Sequence, residues 1–87
     1  MSYEVRLRRA AQKELDALPE RGYEKVAEAI NTLEGNPRPP RAKKLAETGL
    51  WRIRVGQFRI VYAIDNKARL VAIVRVARRK EDTYKGL

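Results

Sequence analysis

The hydrophobic period of this 87-residue chain changes at a proline-rich segment, residues 36–44. Upstream of it, apolar residues recur mainly at three- and four-residue intervals, the spacing that lines one face of an α-helix. Downstream of it, apolar and charged residues alternate, the spacing of a β-strand with one buried face. Because Pro37, Pro39 and Pro40 cannot continue a helix, the two parts must fold as different structures that pack together.

Two helices are expected before the prolines. The first covers residues 9–18 and is ended by Pro19, and the second covers residues 20–34 and is followed by Gly35, a residue suited to the position after a helix. Their short connection favours an antiparallel pair. The apolar stripes are Ala11, Leu15 and Leu18 in the first helix, and Tyr23, Val26, Ala27, Ile30 and Leu33 in the second.

Four strands are expected, one before the helices and three after the prolines. The strand segments are residues 3–7, 51–55, 58–64 and 70–77. Gly56 begins a two-residue turn suited to type II′, and residues 65–67 form a second turn. The last segment is almost entirely apolar, as expected of a central strand. The order β-α-α-β-β-β predicts an α+β fold, a two-helix hairpin packed on one face of a small antiparallel sheet, in a single domain of residues 1–87.

Positive charge is concentrated in the second half of the chain. The 20 basic and 11 acidic residues give a net charge of +9. Residues 1–40 hold seven of each sign, whereas residues 41–87 hold 13 basic and four acidic residues. This asymmetry favours a polyanionic partner, and a merely solubilising surface is the alternative.

Several kinds of site are excluded by composition. The chain has no cysteine and no histidine, which removes disulfides, thiolate nucleophiles, imidazole acid–base groups and the usual zinc ligands. We therefore expect no metal and no cofactor. The first 15 residues contain no apolar run of signal-peptide or membrane length, so a cytoplasmic protein without membrane contact is expected.

Alternation places several arginines opposite the core. If Trp51, Ile53 and Val55 point at the helices, Arg52 and Arg54 point away from them. Arg59 on the next strand then points the same way. We call the face that carries Arg52, Arg54 and Arg59 the arginine face. Guanidinium groups bind phosphate through paired N–H donors, so this face predicts polyanion binding, with an ordinary solvated strand face as the alternative.

The last strand extends the arginine face under one condition. If its larger apolar residues point at the helices, Arg75 and Arg79 join the arginine face, whereas Arg78 lies on the other side. Those apolar residues are Leu70, Val74 and Val76. Tyr84, in the polar tail, could stack on a nucleobase, take part in proton transfer, or pack the tail onto the sheet.

The segment LWRIRVGQFRIVYAI, followed by an apolar strand and VARRKEDTYK, resembles the RelE/ParE superfamily of bacterial toxin–antitoxin toxins. The resemblance covers essentially the whole chain and is strongest over residues 50–84. It implies a RelE-like, microbial-RNase-like fold and the toxin component of a type II toxin–antitoxin system. It further implies a ribosome-dependent mRNA endoribonuclease without a metal, and three partners: mRNA, the ribosome and a cognate acidic antitoxin.

The resemblance also implies a site, with catalytic residues Arg52, Arg54, Arg59, Arg79 and Tyr84. Arg52 and Arg59 would hold the scissile phosphate, Arg79 would lie near the leaving 5′-oxygen, and Tyr84 would position the base or take the 2′-hydroxyl proton. The residues expected to bind RNA around them are Lys43, Lys44, Arg75, Arg78 and Lys80.

Arginine stands at Arg52 and Arg54, where the family carries lysines, and at Arg78, where many relatives carry histidine. Because arginine stays protonated, Tyr84 and Glu81 are the plausible titrating groups. Two other functions remain open. One is a ParE-like inhibitor of DNA gyrase without nuclease chemistry, and the other is a non-catalytic basic RNA-binding module.

Overall fold

The computed structural model describes residues 2–78, which form two helices and a five-stranded sheet. The predicted α+β fold class is confirmed. In chain order the elements are β1 (Glu4–Leu7), α1 (Arg9–Asp16), α2 (Glu20–Thr32), β2 (Lys43–Lys44), β3 (Trp51–Val55), β4 (Phe58–Asp65) and β5 (Leu70–Arg78).

The sheet is mixed, whereas the sequence predicted an antiparallel one. Its strand order is β1-β5-β4-β3-β2, and β1 pairs with β5 in parallel while the other neighbours are antiparallel. Alternation along residues 3–7 predicts a strand but contains no information about its partner. The partner is chosen when the chain returns after α1, α2 and the β2–β4 strands, and this crossover places β5 parallel to β1.

Both helices are shorter than the apolar stripes suggested because their last turns tighten. After α1 the Leu18 N–H donates to the Leu15 carbonyl, three residues back, and after α2 the Leu33 N–H donates to the Ile30 carbonyl in the same way. Pro19 is the residue before the first turn of α2, with φ of −59°. The proline therefore separates the two helices, as its lack of an N–H group predicts.

The core lies between the helices and one face of the sheet. Its completely buried side chains include Ile53, Ile60 and Tyr62. The Tyr62 hydroxyl donates a 2.8 Å hydrogen bond to the Pro37 carbonyl, which attaches the proline-rich segment to the sheet. The remaining core members are Ala11, Leu15, Val26, Ala29, Ile30, Leu33, Val55, Phe58, Val71, Ile73 and Val76.

A β-bulge corrects the predicted orientation of β5. Val61 of β4 lies opposite Arg75 and Tyr62 lies opposite Ile73, so Val74 is an extra residue without a partner in β4. Ile73 before the bulge and Val76 after it both belong to the core. Strict alternation places Leu70, Val74 and Val76 on one face, but of these three only Val76 belongs to the core on the helix side.

The turn at Gly56 agrees with its sequence signal. Gly56 has φ of +58° and Gln57 is not among the described residues with positive φ, the combination that a type II′ turn requires. The next turn is longer than predicted, because β4 continues to Asp65 and β5 begins at Leu70. There the Asp65 carboxylate accepts a 3.0 Å hydrogen bond from the Ala68 N–H.

Candidate nucleic-acid interface

The strand register confirms that Arg52, Arg54 and Arg59 share the sheet face opposite the helices. Arg54 lies directly across from Arg59, and Arg52 lies across from Val61. Directly opposed residues project from the same face of a sheet. Their neighbours Ile53 and Ile60 are completely buried against the helices, so the arginine face is the sheet's other surface.

A short strand adds a lysine to the arginine face. Lys43 lies opposite Arg52, whereas Lys44 lies opposite Trp51, a residue packed against the core on the helix side. The two lysines predicted to bind RNA therefore project from opposite faces. Sequence reasoning missed β2 because a strand of two residues, just after the prolines, is too short to show a period. It forms because Leu45 N–H bonds the Leu50 carbonyl at 2.7 Å and closes a turn between β2 and β3.

Opposed residues form a row that crosses four strands. It runs from Lys43 through Arg52 and Val61 to Arg75. At about 4.8 Å per strand step, this row spans roughly 14 Å. Val61 is completely buried although it faces away from the helices. The cationic groups therefore surround an apolar centre from which water is excluded, and this strengthens electrostatic interactions nearby.

Arg75 occupies the arginine face but has an acidic partner on α1. The register places Arg75 opposite Val61 and so on the arginine face, although the condition set for this prediction held only for Val76. Its Nε lies 3.0 Å from Oε2 of Glu14, and its Nη2 lies 2.9 Å from the same oxygen. Sequence reasoning missed Glu14. The one available signal was its position beside Leu15 and three residues after Ala11, at the flank of the buried stripe.

The other predicted site residues fall elsewhere. Arg78 lies opposite Phe58 and therefore on the helix side, as alternation suggested, with its guanidinium carbon 5.9 Å from the centre of the phenyl ring. Arg79, Lys80 and Tyr84 lie outside the described residues. The placement of two catalytic residues, Arg79 and Tyr84, and of one RNA-binding residue, Lys80, thus stays a prediction.

Within residues 2–78, the strand register places two carboxylates on the arginine face, Glu4 and Asp65, and both lie near the β4–β5 turn. Glu4 is paired with Arg6 on the same strand. Like charges directly opposed across strands, such as Arg54 and Arg59, destabilise a sheet. A bound polyanion would relieve this repulsion.

The Tyr62 hydroxyl, which lies on the helix side, has a clearly displaced pKa. Burial raises the pKa of its hydroxyl to about 12, and nearby Arg38 partly opposes this rise. Arg38 stacks on Trp51, with its guanidinium carbon 5.4 Å from the ring centre, and donates a 3.0 Å hydrogen bond to Asn66. This cluster fastens the proline-rich segment and is remote from the arginine face.

A groove lies between α2 and the β3–β4 turn. It has a volume of about 430 Å³, an apolar floor that includes Val55 and Phe58, and a cationic rim formed by Arg21 and Lys25. β2 pairs with β3 only at Trp51 and Arg52. Beyond Arg52, β3 is therefore an edge strand on this side in the described part of the chain.

The described residues contain no group of three or more carboxylate, histidine or cysteine side chains that could hold a metal ion. Among the helices of residues 2–78, none is long and apolar enough to cross a membrane. The arginine face itself presents fixed cations. They can bind an anion, orient it and stabilise negative charge on its oxygens.

Two sequence comparisons identify relatives of the chain. Residues 5–83 match the family model of the ParE toxin of type II toxin–antitoxin systems. A Methanocaldococcus jannaschii protein assigned as toxin RelE1 is 33% identical over 90 residues, covering 99% of this chain and 99% of that protein.

Solved structures agree with this relationship. A chain of the RelBE2 toxin–antitoxin complex from Mycobacterium tuberculosis is 32% identical with a TM-score of 0.81, over 91% of this chain and all of that one. A chain of the RelE–RelB complex from Pyrococcus horikoshii is 30% identical with a TM-score of 0.80, over 91% of this chain and 97% of that one. The isolated E. coli RelE toxin, 18% identical, shares the fold with a TM-score of 0.80, over 98% of this chain and 94% of that one. The chain belongs to the ParE toxin family of type II toxin–antitoxin systems, within the RelE/ParE superfamily.

Proposed function

We propose that this toxin is a ribosome-dependent mRNA endoribonuclease of the RelE type. The observation that carries the proposal is the cross-strand assembly of Lys43, Arg52, Arg54 and Arg59 on one sheet face. Such a cluster is suited to an RNA phosphate because guanidinium forks and phosphate oxygens match in geometry and charge. Its action on translating ribosomes would take place in the cytoplasm.

The proposed reaction is a transphosphorylation. The 2′-oxygen of the ribose attacks the adjacent phosphorus, the bond from phosphorus to the 5′-oxygen breaks, and the products are a 2′,3′-cyclic phosphate and a free 5′-hydroxyl. Arg52 and Arg59 hold the phosphate and stabilise charge on its non-bridging oxygens, and Arg54 supports them. Because arginine stays protonated, Tyr84 in its phenolate form is the candidate to accept the 2′-hydroxyl proton. Arg79 stabilises the negative charge on the leaving 5′-oxygen, which takes a proton from water to give the 5′-hydroxyl.

Primer extension on an mRNA, with and without translating ribosomes, tests this proposal. We expect cuts with ribosomes that disappear in Arg79→Ala and Tyr84→Ala proteins. Lys67→Ala, which removes a cation from the exposed loop between β4 and β5, is the matched control and should cleave normally. Absence of cuts by wild-type protein in both conditions would refute the nuclease, and unchanged cleavage by the two site variants would refute the assigned site.

A ParE-like inhibitor of DNA gyrase is the second candidate, because the family model that matches residues 5–83 is that of ParE toxins. The chain's similarity to RelE relatives at 30–33% identity favours the nuclease instead. Expression in a growing culture separates the two functions. The nuclease arrests translation first, the gyrase inhibitor causes loss of DNA supercoiling first, and a non-catalytic module arrests neither.

A cognate acidic antitoxin is the proposed protein partner, since two relatives were solved as complexes with RelB-type antitoxins. A net charge of +9 would attract an acidic segment. The open edge of β3 would accept a strand, and the groove beside Arg21 and Lys25 would accept acidic and apolar side chains. The double variant Arg21→Ala/Lys25→Ala should weaken antitoxin binding in calorimetry. Unchanged affinity would exclude the groove from this role.

A further inference from the structure

Glu14 lies where α1, the open edge of β5 and the arginine face meet. β1 pairs with β5 as far as Ile73, and the Arg8 N–H adds a 3.0 Å hydrogen bond to the Ile73 carbonyl. The chain then turns into α1. In the described part of the molecule, the next residues of β5 therefore have α1 beside them in place of a strand.

The Glu14 carboxylate holds two consecutive residues of this edge. Its Oε1 accepts a 2.9 Å hydrogen bond from the Val76 N–H, which no neighbouring strand on that side could satisfy. Its Oε2 accepts a 3.0 Å hydrogen bond from Nε of Arg75 and lies 2.9 Å from Nη2 of the same guanidinium group. One side chain thus binds both the backbone and the guanidinium group directly after the bulged residue Val74.

The bulge decides which face Arg75 occupies. Ile73 points at the helices, so strict alternation would send Arg75 to the helix side as well. The extra residue Val74 reverses this and places Arg75 on the arginine face. Glu14 binds the strand at this position, where its two interactions oppose any slip of the bulge.

We infer that Glu14 is a positioning residue for RNA, which holds Arg75 on the arginine face so that this guanidinium binds a phosphate of the strand. The inference rests on the proposed function, because it requires RNA as the ligand of the arginine face. A guanidinium group has five N–H donors arranged on more than one edge, so it can bind a carboxylate and a phosphate at the same time. A fixed guanidinium plane also loses less side-chain entropy when it binds phosphate.

Charge alone predicts the opposite effect for Glu14. A carboxylate beside the arginine face reduces its positive potential, so removing that charge should strengthen RNA binding if electrostatics dominates. Positioning predicts that removal weakens RNA binding. The sign of the change in affinity therefore distinguishes the two roles.

The experiment measures the affinity for a 2′-O-methyl RNA, which lacks the nucleophile and cannot be cleaved, across a series of salt concentrations. Glu14→Gln keeps the volume of the side chain and an oxygen acceptor for Val76. We expect it to bind RNA about threefold more weakly. The salt slope, which is the slope of the logarithm of the binding constant against the logarithm of the salt concentration, should be smaller in magnitude by about 0.7, the value of one single-strand phosphate contact. Glu24→Gln makes the same charge change at an exposed position of α2 and should leave the slope unchanged.

Arg75→Gln and the double variant show whether Glu14 acts through Arg75. We expect Arg75→Gln to reduce the salt slope of RNA binding by the same amount as Glu14→Gln. The double variant should reduce this slope by no more than either single variant does. An additive loss would overturn the inference, as would a Glu14→Gln protein that binds as tightly as the Glu24→Gln control.

Thermal unfolding shows whether Glu14→Gln remains folded. If it does not, Arg75→Lys replaces it, because lysine keeps the charge but cannot form the paired contact with Glu14. Weaker RNA binding by Arg75→Lys supports the inference, and unchanged binding overturns it. A wild-type protein that does not bind the RNA overturns the inference, whereas the proposed function is refuted separately, by the absence of cuts in the primer-extension assay. Normal wild-type binding with unaffected variants refutes the inference alone.

Discussion

The two faces of the sheet use alternate residues of the same strands and differ completely in chemistry. Toward the helices, Ile53 and Ile60 are completely buried. Away from the helices, Arg54 is exposed and Arg52 and Arg59 are half-buried. The helix side excludes water and stabilises the fold, whereas the arginine face concentrates like charges that do not favour folding. Neighbouring residues on one strand should therefore affect different properties when they are changed.

The arginine face is not wholly polar, because it also contains buried apolar residues. Val61 is completely buried and Ala77 is 7% exposed, yet both lie opposite residues of the arginine face. Neither belongs to the core beneath the helices. The long side chains around them can cover apolar surface with their methylene stems. The arginine face thus combines cationic residues with a small apolar centre.

The largest expected effect lies on the arginine face. Arg59→Ala should reduce the rate of mRNA cleavage by about 10²–10³, because one preorganised group that stabilises charge in the transition state is lost. The midpoint of urea unfolding should change much less. Single-turnover cleavage on ribosomes, with the midpoint measured on the same protein, checks this. A normal cleavage rate would remove Arg59 from the site.

Ile53→Ala, between Arg52 and Arg54, should show the reverse pattern. Ile53 is completely buried, so the truncation should lower the free energy of unfolding by about 3 kcal/mol. RNA affinity of the folded protein should remain unchanged. Urea unfolding and RNA binding measured on the same variant test the separation of the faces. A loss of RNA affinity without a loss of stability would contradict it.

Tyr62, on the helix side, should make the stability of the folded protein decrease at alkaline pH. The pKa of its hydroxyl is raised to about 12 in the folded protein and lies near 10 in the unfolded chain. The contribution to stability is fully present below pH 10 and is lost between pH 10 and 12, up to roughly 2 to 3 kcal/mol. Unfolding of wild-type and Tyr62→Phe proteins across this range measures the contribution. Identical pH profiles would refute it.

The smallest expected effect comes from changing Lys43 or Lys44, and it tests directly whether the two faces of the sheet differ in RNA binding. Lys43 lies on the arginine face and Lys44 on the helix side, although both are exposed and adjacent. Lys43→Ala should reduce the salt slope of RNA binding by about 0.7, the value of one phosphate contact, while Lys44→Ala should leave it unchanged. Equal slopes for the two variants would show that the register does not organise RNA binding.

Much of the arginine face was predictable because alternation is a local property. Side chains of a strand alternate between faces, so the apolar residues at 51, 53 and 55 were sufficient to orient Arg52 and Arg54. Arg59 followed from the same rule after the two-residue turn at Gly56. Arg75 was predictable only conditionally, since one extra residue reverses the faces of everything beyond it.

Local pattern alone determined that two amphipathic helices pack on strands whose arginines point away from the core. The prolines, the turn glycine and the two hydrophobic periods act over a few residues and need no distant partner. Only the tertiary structure decided the parallel pairing of β1 with β5, the lysine that β2 adds, and the bulge at Val74. It also decided the contact of Glu14 with Arg75, which joins residues 61 positions apart. Such contacts depend on which elements meet when the core closes, and no local period encodes that choice.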